Sequence, residues 1–285
     1  MYVVTGATGQ LGRLVVAELA RKVGPEQVVA VVRDPAKAED LAALGVTIRQ
    51  ADYNDPQSLG PALAGAEKVL LISGNEVGKR VPQHTAVIEA AKAAGARLIA
   101  YTSIVHADTS PLSLAKEHLA TEQVLKASGV PWALLRNSWY LENYTGSAAA
   151  TVERGVVQAA SGDGRISAAT RADFASAAVA VLTSPDDQGG RTYELGGDQA
   201  FTQADVAAEL SRQSGKPIAY RNLSVDDYTA ALKAAGLPDP VAEMVAGLDA
   251  GIATGALETG SGDLRRLIGR PTTTLAQGIA AALGR

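Results

Sequence analysis

Three glycines at a spacing of three residues open the most informative segment of the chain. Gly6, Gly9 and Gly12 lie between an apolar run that begins at Tyr2 and a helix-like stretch that begins at Gln10. In this setting the first glycine permits a tight turn, the second lets backbone N–H groups approach a pyrophosphate, and the third permits close helix-to-strand packing. The N-terminus of the following helix would face the phosphates. The segment predicts a dinucleotide site, and a tight turn without a ligand is the alternative.

The residue after the second predicted strand favours a phosphorylated dinucleotide. An NAD site usually ends this strand with a carboxylate that bonds the ribose hydroxyls. Here Val28–Val32 is followed by Arg33, whose guanidinium can hold a 2′-phosphate through charge-assisted hydrogen bonds that a carboxylate could not provide. Asp34 follows at once, and an ordinary surface arginine is the alternative interpretation. The sequence predicts NADPH as the cofactor.

Short β-rich runs alternate with helical stretches through about residue 136. Several runs are apolar at nearly every position, as in strands buried on both faces of a parallel sheet. The alternation predicts an α/β fold with a Rossmann-type, doubly wound parallel sheet. The predicted strands are Tyr2–Thr5, Val28–Val32, Val46–Gln50, Val69–Ser73, Leu98–Ser103 and Trp132–Leu135, with helices at about 13–23, 36–44, 57–64, 82–94 and 113–128.

The second half of the chain has a looser pattern, which predicts a second, smaller domain. Residues 1–150 are assigned to an NAD(P)-binding Rossmann domain, and residues 151–285 to a smaller C-terminal α/β substrate lobe that is interleaved with the Rossmann sheet. The elements predicted there are strands at Val156–Ala159, Thr192–Leu195 and Pro217–Tyr220, and helices at about 172–183, 203–213, 225–235 and 239–250.

Composition limits the partners. The net charge of −4, without a run of like charges, gives no basic surface for nucleic acid or for an anionic membrane. No stretch reaches the roughly 18 uncharged apolar residues that a membrane span requires. The first predicted strand begins at Tyr2, which leaves no room for a targeting segment, so a cytoplasmic protein is expected. The oligomeric state, monomer or homodimer, stays open.

The side chains that could hold a metal or act as nucleophiles are few. The chain has no cysteine, which excludes disulfides, thiolate zinc sites and a cysteine nucleophile. His84, His106 and His118 are spread over three elements without a zinc-like spacing. No metal is predicted.

Several motifs together resemble one family. The loop T-G-A-T-G-Q-L-G at Thr5–Gly12 is similar to that of the NmrA-like atypical short-chain dehydrogenases/reductases. Further motifs resemble the type 2 NAD(P)H:quinone oxidoreductase branch of this family: V-V-R-D-P at Val31–Pro35, Q-A-D-Y-N-D-P at Gln50–Pro56, L-L-I-S-G at Leu70–Gly74, Y-T-S at Tyr101–Ser103, H-A-D-T-S-P-L at His106–Leu112, L-L-R-N-S-W-Y-L-E-N-Y at Leu134–Tyr144 and A-T-R-A-D-F-A at Ala169–Ala175.

The resemblance implies an activity and a set of cofactor-binding residues. The activity is NADPH-dependent reduction of a small-molecule quinone by direct hydride transfer. The residues implied to surround NADPH are Gly6, Ala7, Thr8, Gly9, Gln10, Leu11, Gly12, Arg33, Asp52, Ile72, Ser73, Gly74, Ser103, Asn137 and Trp139.

One departure from ordinary short-chain dehydrogenases concerns the proton donor. Those enzymes combine a serine with a Y-x-x-x-K motif, whose lysine lowers the pKa of the tyrosine. Ser103 and Lys116 fit this pattern, but Leu112 stands at the tyrosine position. Ketone reduction then lacks its usual acid. A quinone is a stronger hydride acceptor, and its hydroquinone anion can take a proton from water. Lys116 is predicted to take part in catalysis by bonding a ribose hydroxyl, with an ordinary helix-face lysine as the alternative.

An aromatic segment after the sixth strand predicts the acceptor site. Trp139 and Tyr140 could pack on a planar substrate, while Asn137 and Asn143 could bond carbonyl groups of cofactor or substrate. Tyr140 and Asn143 are therefore predicted to take part in catalysis, and burial in the core is the alternative.

The start of the next predicted helix carries two opposite charges. Arg171 and Asp173 are expected to form an ion pair there, with Asp173 stabilising the N-terminal turn, and a function in a substrate loop is the alternative.

Two other functions fit the same sequence. The absent Y-x-x-x-K motif is compatible with an NmrA-like regulator that senses NAD(P) without turnover. A reductase of another conjugated acceptor would leave the cofactor prediction unchanged.

Overall fold

A seven-stranded sheet forms the centre of the protein, as seen in a computed structural model that describes residues 1–285. The strands of the chain are β1 Tyr2–Val4, β2 Val28–Val32, β3 Thr47–Gln50, β4 Lys68–Leu71, β5 Leu98–Ile104, β6 Trp132–Asn137, β7 Val156–Ala159, β8 Arg191–Leu195 and β9 Ala219–Asn222. The large sheet has the order β3-β2-β1-β4-β5-β6-β8 with all neighbours parallel. The strand order reverses between β1 and β4, so the Rossmann-type doubly wound prediction is confirmed.

Thirteen helices surround the strands. They are α1 Gln10–Val23, α2 Glu39–Ala42, α3 Pro56–Leu63, α4 Arg80–Ala93, α5 Ser113–Ala127, α6 Glu142–Thr145, α7 Ala148–Arg154, α8 Arg171–Thr183, α9 Gln203–Ser214, α10 Val225–Ala234, α11 Asp239–Ile252, α12 Asp263–Ile268 and α13 Leu275–Ala282. Helices α1, α8 and α12 cover one face of the large sheet, and α3, α4 and α5 cover the other. No helix has both the length and the apolar character needed to cross a membrane.

Each of the first six strands begins and ends within two residues of its predicted bounds. Strand β2 shows why, because all five residues of its apolar run are buried between the two helical layers. The helix predicted at about 36–44 is instead a 3₁₀ turn at Pro35–Lys37 followed by the four residues of α2. The short helices α6, α7, α12 and α13 were not predicted from the sequence.

Residues beyond 150 contribute to both parts of the molecule. Strand β8 extends the large sheet beside β6, and α8 packs against α1. Most of the remaining elements build a second hydrophobic core around the parallel pair β7 and β9, with side chains from α9 and α11 and from earlier residues such as Leu112 and Leu141. Helix α12 packs against α8 instead. The division of the chain at residue 150 stays a prediction.

Candidate active site

The glycine loop between β1 and α1 is shaped by two glycines. Gly6 has φ +61°, a left-handed conformation that other residues rarely adopt. A Cβ at Gly12 would lie 2.4 Å from the Gly6 carbonyl oxygen and 2.8 Å from the Ala7 Cα. The loop therefore folds back against the first turn of α1, and only glycine fits at residue 12.

The N-terminus of α1 is ready to accept an anion. Gly9 is its N-cap and offers no side-chain acceptor, and the first turn carries no acidic residue. The backbone N–H groups at this end thus lack the usual capping partner, while the helix dipole favours negative charge there. Gln10 is exposed and Thr8 is half-buried, whereas Ala7 and Leu11 are buried and pack in the core.

A cavity of about 330 Å³ lies beside this loop at the carboxyl ends of β1, β2, β3 and β4. It brings together a large part of the predicted cofactor residues with several that were not predicted. Its lining is Gly6, Thr8, Gly9, Val31, Arg33, Ala51, Asp52, Tyr53, Ile72, Ser73, Gly74, Asn75, Glu76 and Gln83.

Arg33 and Asp34 have different roles although they are adjacent. The Arg33 side chain is 67% exposed at the cavity, and its guanidinium lies 3.9 Å from the Glu76 carboxylate. Asp34 instead caps the turn at Pro35–Lys37, where its carboxylate accepts a hydrogen bond from the Ala36 N–H at 3.1 Å. The carboxylate that could have bonded a ribose is therefore used in a turn.

Tyr53 is a cavity residue that sequence reasoning missed. Its hydroxyl lies 2.5 Å from Thr5 Oγ1 and 3.0 Å from the carbonyl oxygen of Ile72. Burial raises its pKa, so the phenol stays protonated. Tyr53 thereby joins the ends of β1 and β4 beneath the cavity. The signal available in the sequence was an aromatic residue shortly after β3, beside Asp52, in a chain with few aromatic residues.

A buried histidine fixes the loop after β4. The Gly74 N–H donates to His84 Nε2 at 2.9 Å, and His84 Nδ1 lies 3.0 Å from Thr121 Oγ1. Arg80 Nε donates to the Gly74 carbonyl oxygen at 2.7 Å. Burial, assisted by the charge of Arg80, lowers the pKa of His84 to about 4, so its imidazole is neutral and Nε2 can accept. His84 holds Gly74 at the cavity wall.

Ser103 and Lys116 lie outside the lining of this cavity. The Ser103 hydroxyl donates to the buried Glu122 carboxylate at 2.6 Å, and Arg136 donates two further hydrogen bonds to that carboxylate. Lys116 is exposed on α5 and forms no ion pair. The two residues that fit the short-chain dehydrogenase pattern are therefore not brought to the glycine loop through their side chains.

The segment predicted to hold the acceptor, which we call the acceptor wall, runs from Asn137 at the end of β6 to Asn143. Its side chains point to two different parts of the molecule. Asn137 is buried at the end of the strand, and its side-chain carbonyl oxygen has no hydrogen-bond partner. The Tyr140 ring packs edge-to-face on Phe174, with ring centroids 5.6 Å apart. Trp139 packs toward the C-terminal core. Trp139 and Asn143 line a second cavity.

Arg171 connects this wall to α8. Its guanidinium carbon lies 4.2 Å from the Tyr140 ring centroid, its nitrogen lies 3.3 Å from the Glu142 carboxylate, and it donates to Asn143 Oδ1 at 3.4 Å. The expected ion pair between Arg171 and Asp173 is wrong.

Asp173 has other partners at the start of α8. Its carboxylate pairs with Arg270 at 2.7 Å and accepts from the Thr273 N–H, while Thr170 caps the helix. These partners are far away in the sequence, which is why residue spacing suggested the nearer arginine.

No group of three or more histidine, aspartate or glutamate side chains is arranged to hold a metal ion.

Comparisons with known proteins support the resemblance. The chain is 55% identical to quinone oxidoreductase 2 of Escherichia coli (strain K12) over 280 residues, covering 98% of each chain. Its structure matches the crystal structure of an NADPH-dependent quinone oxidoreductase of Escherichia coli complexed with NADPH at a TM-score of 0.96, with 54% identity and coverage of 99% of this chain and 100% of that one.

A second solved structure is similarly close in fold. The triphenylmethane reductase of Citrobacter sp., complexed with NADP(H), matches at a TM-score of 0.95 with 38% identity, covering 99% of this chain and 100% of that one. A family model described as NAD(P)H-binding matches residues 6–185. The predicted resemblance is confirmed: the chain belongs to the NAD(P)H-binding family, in the branch of quinone oxidoreductase 2.

Proposed function

We propose that the protein catalyses NADPH-dependent reduction of quinones. The observation that carries this proposal is the 55% identity over nearly the whole chain to a quinone oxidoreductase, in a structure whose cavity presents Arg33 and an uncapped helix N-terminus. Besides NADPH, the reaction takes a small-molecule quinone as the hydride acceptor.

The cavity residues fit NADPH. The free N–H groups in the first turn of α1, next to Gly9, would hold the pyrophosphate, and Arg33 would bind the 2′-phosphate. Asp52 and the Ile72–Gly74 segment would line the adenosine side. The unpartnered carbonyl oxygen of buried Asn137 costs about 1–3 kcal/mol when no donor reaches it, and a carboxamide N–H of the bound cofactor would satisfy it.

The acceptor wall would contribute mainly by positioning the acceptor and by excluding water from it. When bound, NADPH supplies a hydride, and with one proton this converts a quinone to a hydroquinone. Tyr140, Trp139 and Asn143 would hold the flat acceptor in place, which is worth large rate factors when two reactants must be aligned. Because burial raises the pKa of Tyr140, its phenol stays protonated and orients the acceptor as a neutral group. The proton comes from water.

The test is the loss of NADPH absorbance at 340 nm on mixing purified protein with NADPH and 1,4-benzoquinone, against a blank without protein. We expect protein-dependent oxidation of NADPH with one equivalent of hydroquinone formed. Firm NADPH binding without reduction of benzoquinone or larger quinones would favour the nucleotide-sensing function instead. If the protein reduces other conjugated acceptors but no quinone, it is a reductase of another conjugated acceptor.

A further inference from the structure

A second cavity, of about 460 Å³, lies in the C-terminal part of the molecule. It is lined by the segment 139–144 and by side chains of β7, α7, α9, α10 and α11. It shares no lining residue with the cavity beside the glycine loop. Its lining does include Trp139 and Asn143 of the acceptor wall, so a ligand bound in this cavity would contact the acceptor wall.

Three aromatic side chains face this cavity: Trp139, Tyr144 and Tyr228. The Tyr144 ring packs edge-to-face on Phe201 at 5.4 Å between centroids, which fixes its orientation. The Tyr144 hydroxyl is buried and has no hydrogen-bond partner.

The side chain of Asp249 lines the same cavity. Asp249 is 8% exposed and accepts one hydrogen bond, from the Ala160 N–H at 2.8 Å. It forms no ion pair, and burial raises its pKa. Burial, and after it the negative charge of Asp249, raises the pKa of Tyr144, and that of Tyr228 to about 12.

The only basic residue of the cavity lining does not neutralise this carboxylate. Arg154 is exposed at the end of α7 and donates to Thr151 Oγ1 at 3.1 Å. The rest of the lining is neutral, with apolar side chains from α9 and α11 such as Val206 and Leu248. A buried acid therefore faces an apolar and aromatic cavity without a counter-charge. A cavity that combines aromatic side chains with a carboxylate suits an organic cation, because aromatic rings attract positive charge at their faces and carry no strongly bound water.

We propose that this cavity binds an organic cation and that the preferred quinone carries a quaternary or protonated amine substituent that occupies it. The second half of this proposal rests on the proposed quinone reductase function. Trp139 and Asn143 belong both to the acceptor wall and to the lining of this second cavity. The quinone ring would therefore lie at the acceptor wall, and its cationic substituent would lie beside Asp249.

The kinetic test uses two benzoquinones that differ only in the charge of one substituent. One carries a 2-(trimethylammonio)ethyl group and the other its neutral isostere, a 3,3-dimethylbutyl group. We expect Asp249→Asn to lower the ratio of kcat/KM for the cationic over the neutral quinone by about tenfold or more. The neutral quinone should react at nearly the wild-type rate, because asparagine can still accept from the Ala160 N–H.

Two controls separate local contact from long-range charge and from misfolding. Asp226→Asn removes the same charge from an exposed position on α10 and should leave the ratio within about twofold of wild type, because exposed charges are screened. Tyr228→Phe keeps the aromatic ring and Tyr228→Leu removes it, so only the latter should lower the ratio. An unchanged ratio in Asp249→Asn overturns the proposal.

A binding measurement tests the cavity independently of turnover. Benzyltrimethylammonium should bind the wild-type protein in calorimetric titration, with affinity reduced about tenfold or more in Asp249→Asn and unchanged in Asp226→Asn. If quinones are not reduced but this difference is found, the quinone reductase function fails and the cation site stands. If quinones are reduced but neither the kinetic ratio nor the titration responds to Asp249→Asn, the cation site fails alone.

Discussion

The guanidinium of Arg171 covers one face of the Tyr140 ring, with 4.2 Å between its carbon and the ring centroid. The same guanidinium pairs with Glu142 and donates to Asn143, so one side chain reaches three neighbours on the segment that we assign to the acceptor. Arg171 is only 15% exposed at this position. Its planar group orders Tyr140 and Asn143 in a way that a lysine, as a point charge, cannot reproduce.

Arg171→Lys should therefore lower kcat/KM for quinone reduction about 5- to 50-fold, while the Kd for NADPH changes by less than about threefold. Lysine can retain the charge pair with Glu142 but not the stacking on Tyr140. Steady-state kinetics and fluorescence titration measure the two quantities. Equal losses of NADPH affinity and turnover would show that Arg171 serves the cofactor instead of the acceptor wall.

Tyr140→Ala tests whether the ring itself contacts the acceptor. Loss of an aromatic contact worth roughly 1–3 kcal/mol should lower kcat/KM about 5- to 150-fold without changing NADPH affinity. Because Tyr140 also packs on Phe174, its truncation should lower the melting temperature. Tyr140→Phe keeps the packing and should retain both stability and most of the activity. A Tyr140→Ala protein with normal quinone kinetics would place the ring in the core only.

The sequence predicts the parts of the site whose determinants are local. The glycine loop, Arg33 and the ends of β2 and β4 follow from apolar runs and from the residues that directly follow them. Tyr53 and Arg171 could not be predicted in the same way, because their partners Thr5 and Tyr140 are brought near by strand order and by the return of α8 to the sheet. The side-chain direction of Ser103 likewise depends on Glu122, a residue of another element.

Arg33→Ala should remove most of the preference for NADPH over NADH. If charge-assisted hydrogen bonds hold the 2′-phosphate, the wild-type preference is on the order of 1.5–3 kcal/mol, or about 10- to 150-fold in Kd. Asp34→Asn is the matched control, since Asp34 caps a turn and should leave the preference nearly unchanged. Fluorescence titration with both nucleotides gives the four affinities. Equal affinities in the wild type would contradict the assignment of Arg33.

Lys116→Ala should have a small effect, less than about threefold on kcat/KM, because Lys116 is exposed and forms no ion pair. Any loss would come from a ribose contact that forms with the bound cofactor. Between pH 6 and 9 the pH profile of quinone reduction by Lys116→Ala should be the same as that of the wild type. The reason is that Leu112 stands where a lysine-dependent tyrosine acid would be. A loss of several orders of magnitude with normal NADPH binding would restore a lysine-dependent mechanism.

His84 should make folding stability depend on pH. Burial lowers the pKa of His84 to about 4 in the folded protein, against an ordinary value of 6.5. Above pH 6.5 both folded and unfolded states carry a neutral imidazole, and no effect is expected. Between pH 6.5 and 4 the unfolded chain takes up a proton that the folded chain does not, so stability falls as the pH falls, by about 2 kcal/mol at pH 5.

Urea unfolding at pH 7.5 and at pH 5 measures this loss, and His84→Gln supplies the comparison. Glutamine can still accept from the Gly74 N–H, but it does not titrate, so the variant should lose about 2 kcal/mol less than the wild type between the two pH values. His118, whose pKa burial lowers to about 3, remains in both proteins, and so do the carboxylates. The difference between the proteins therefore isolates His84. Equal losses in both would mean that His84 is protonated, or accessible to protonation, in the folded state, and would remove the argument that its neutral Nε2 holds the loop at Gly74.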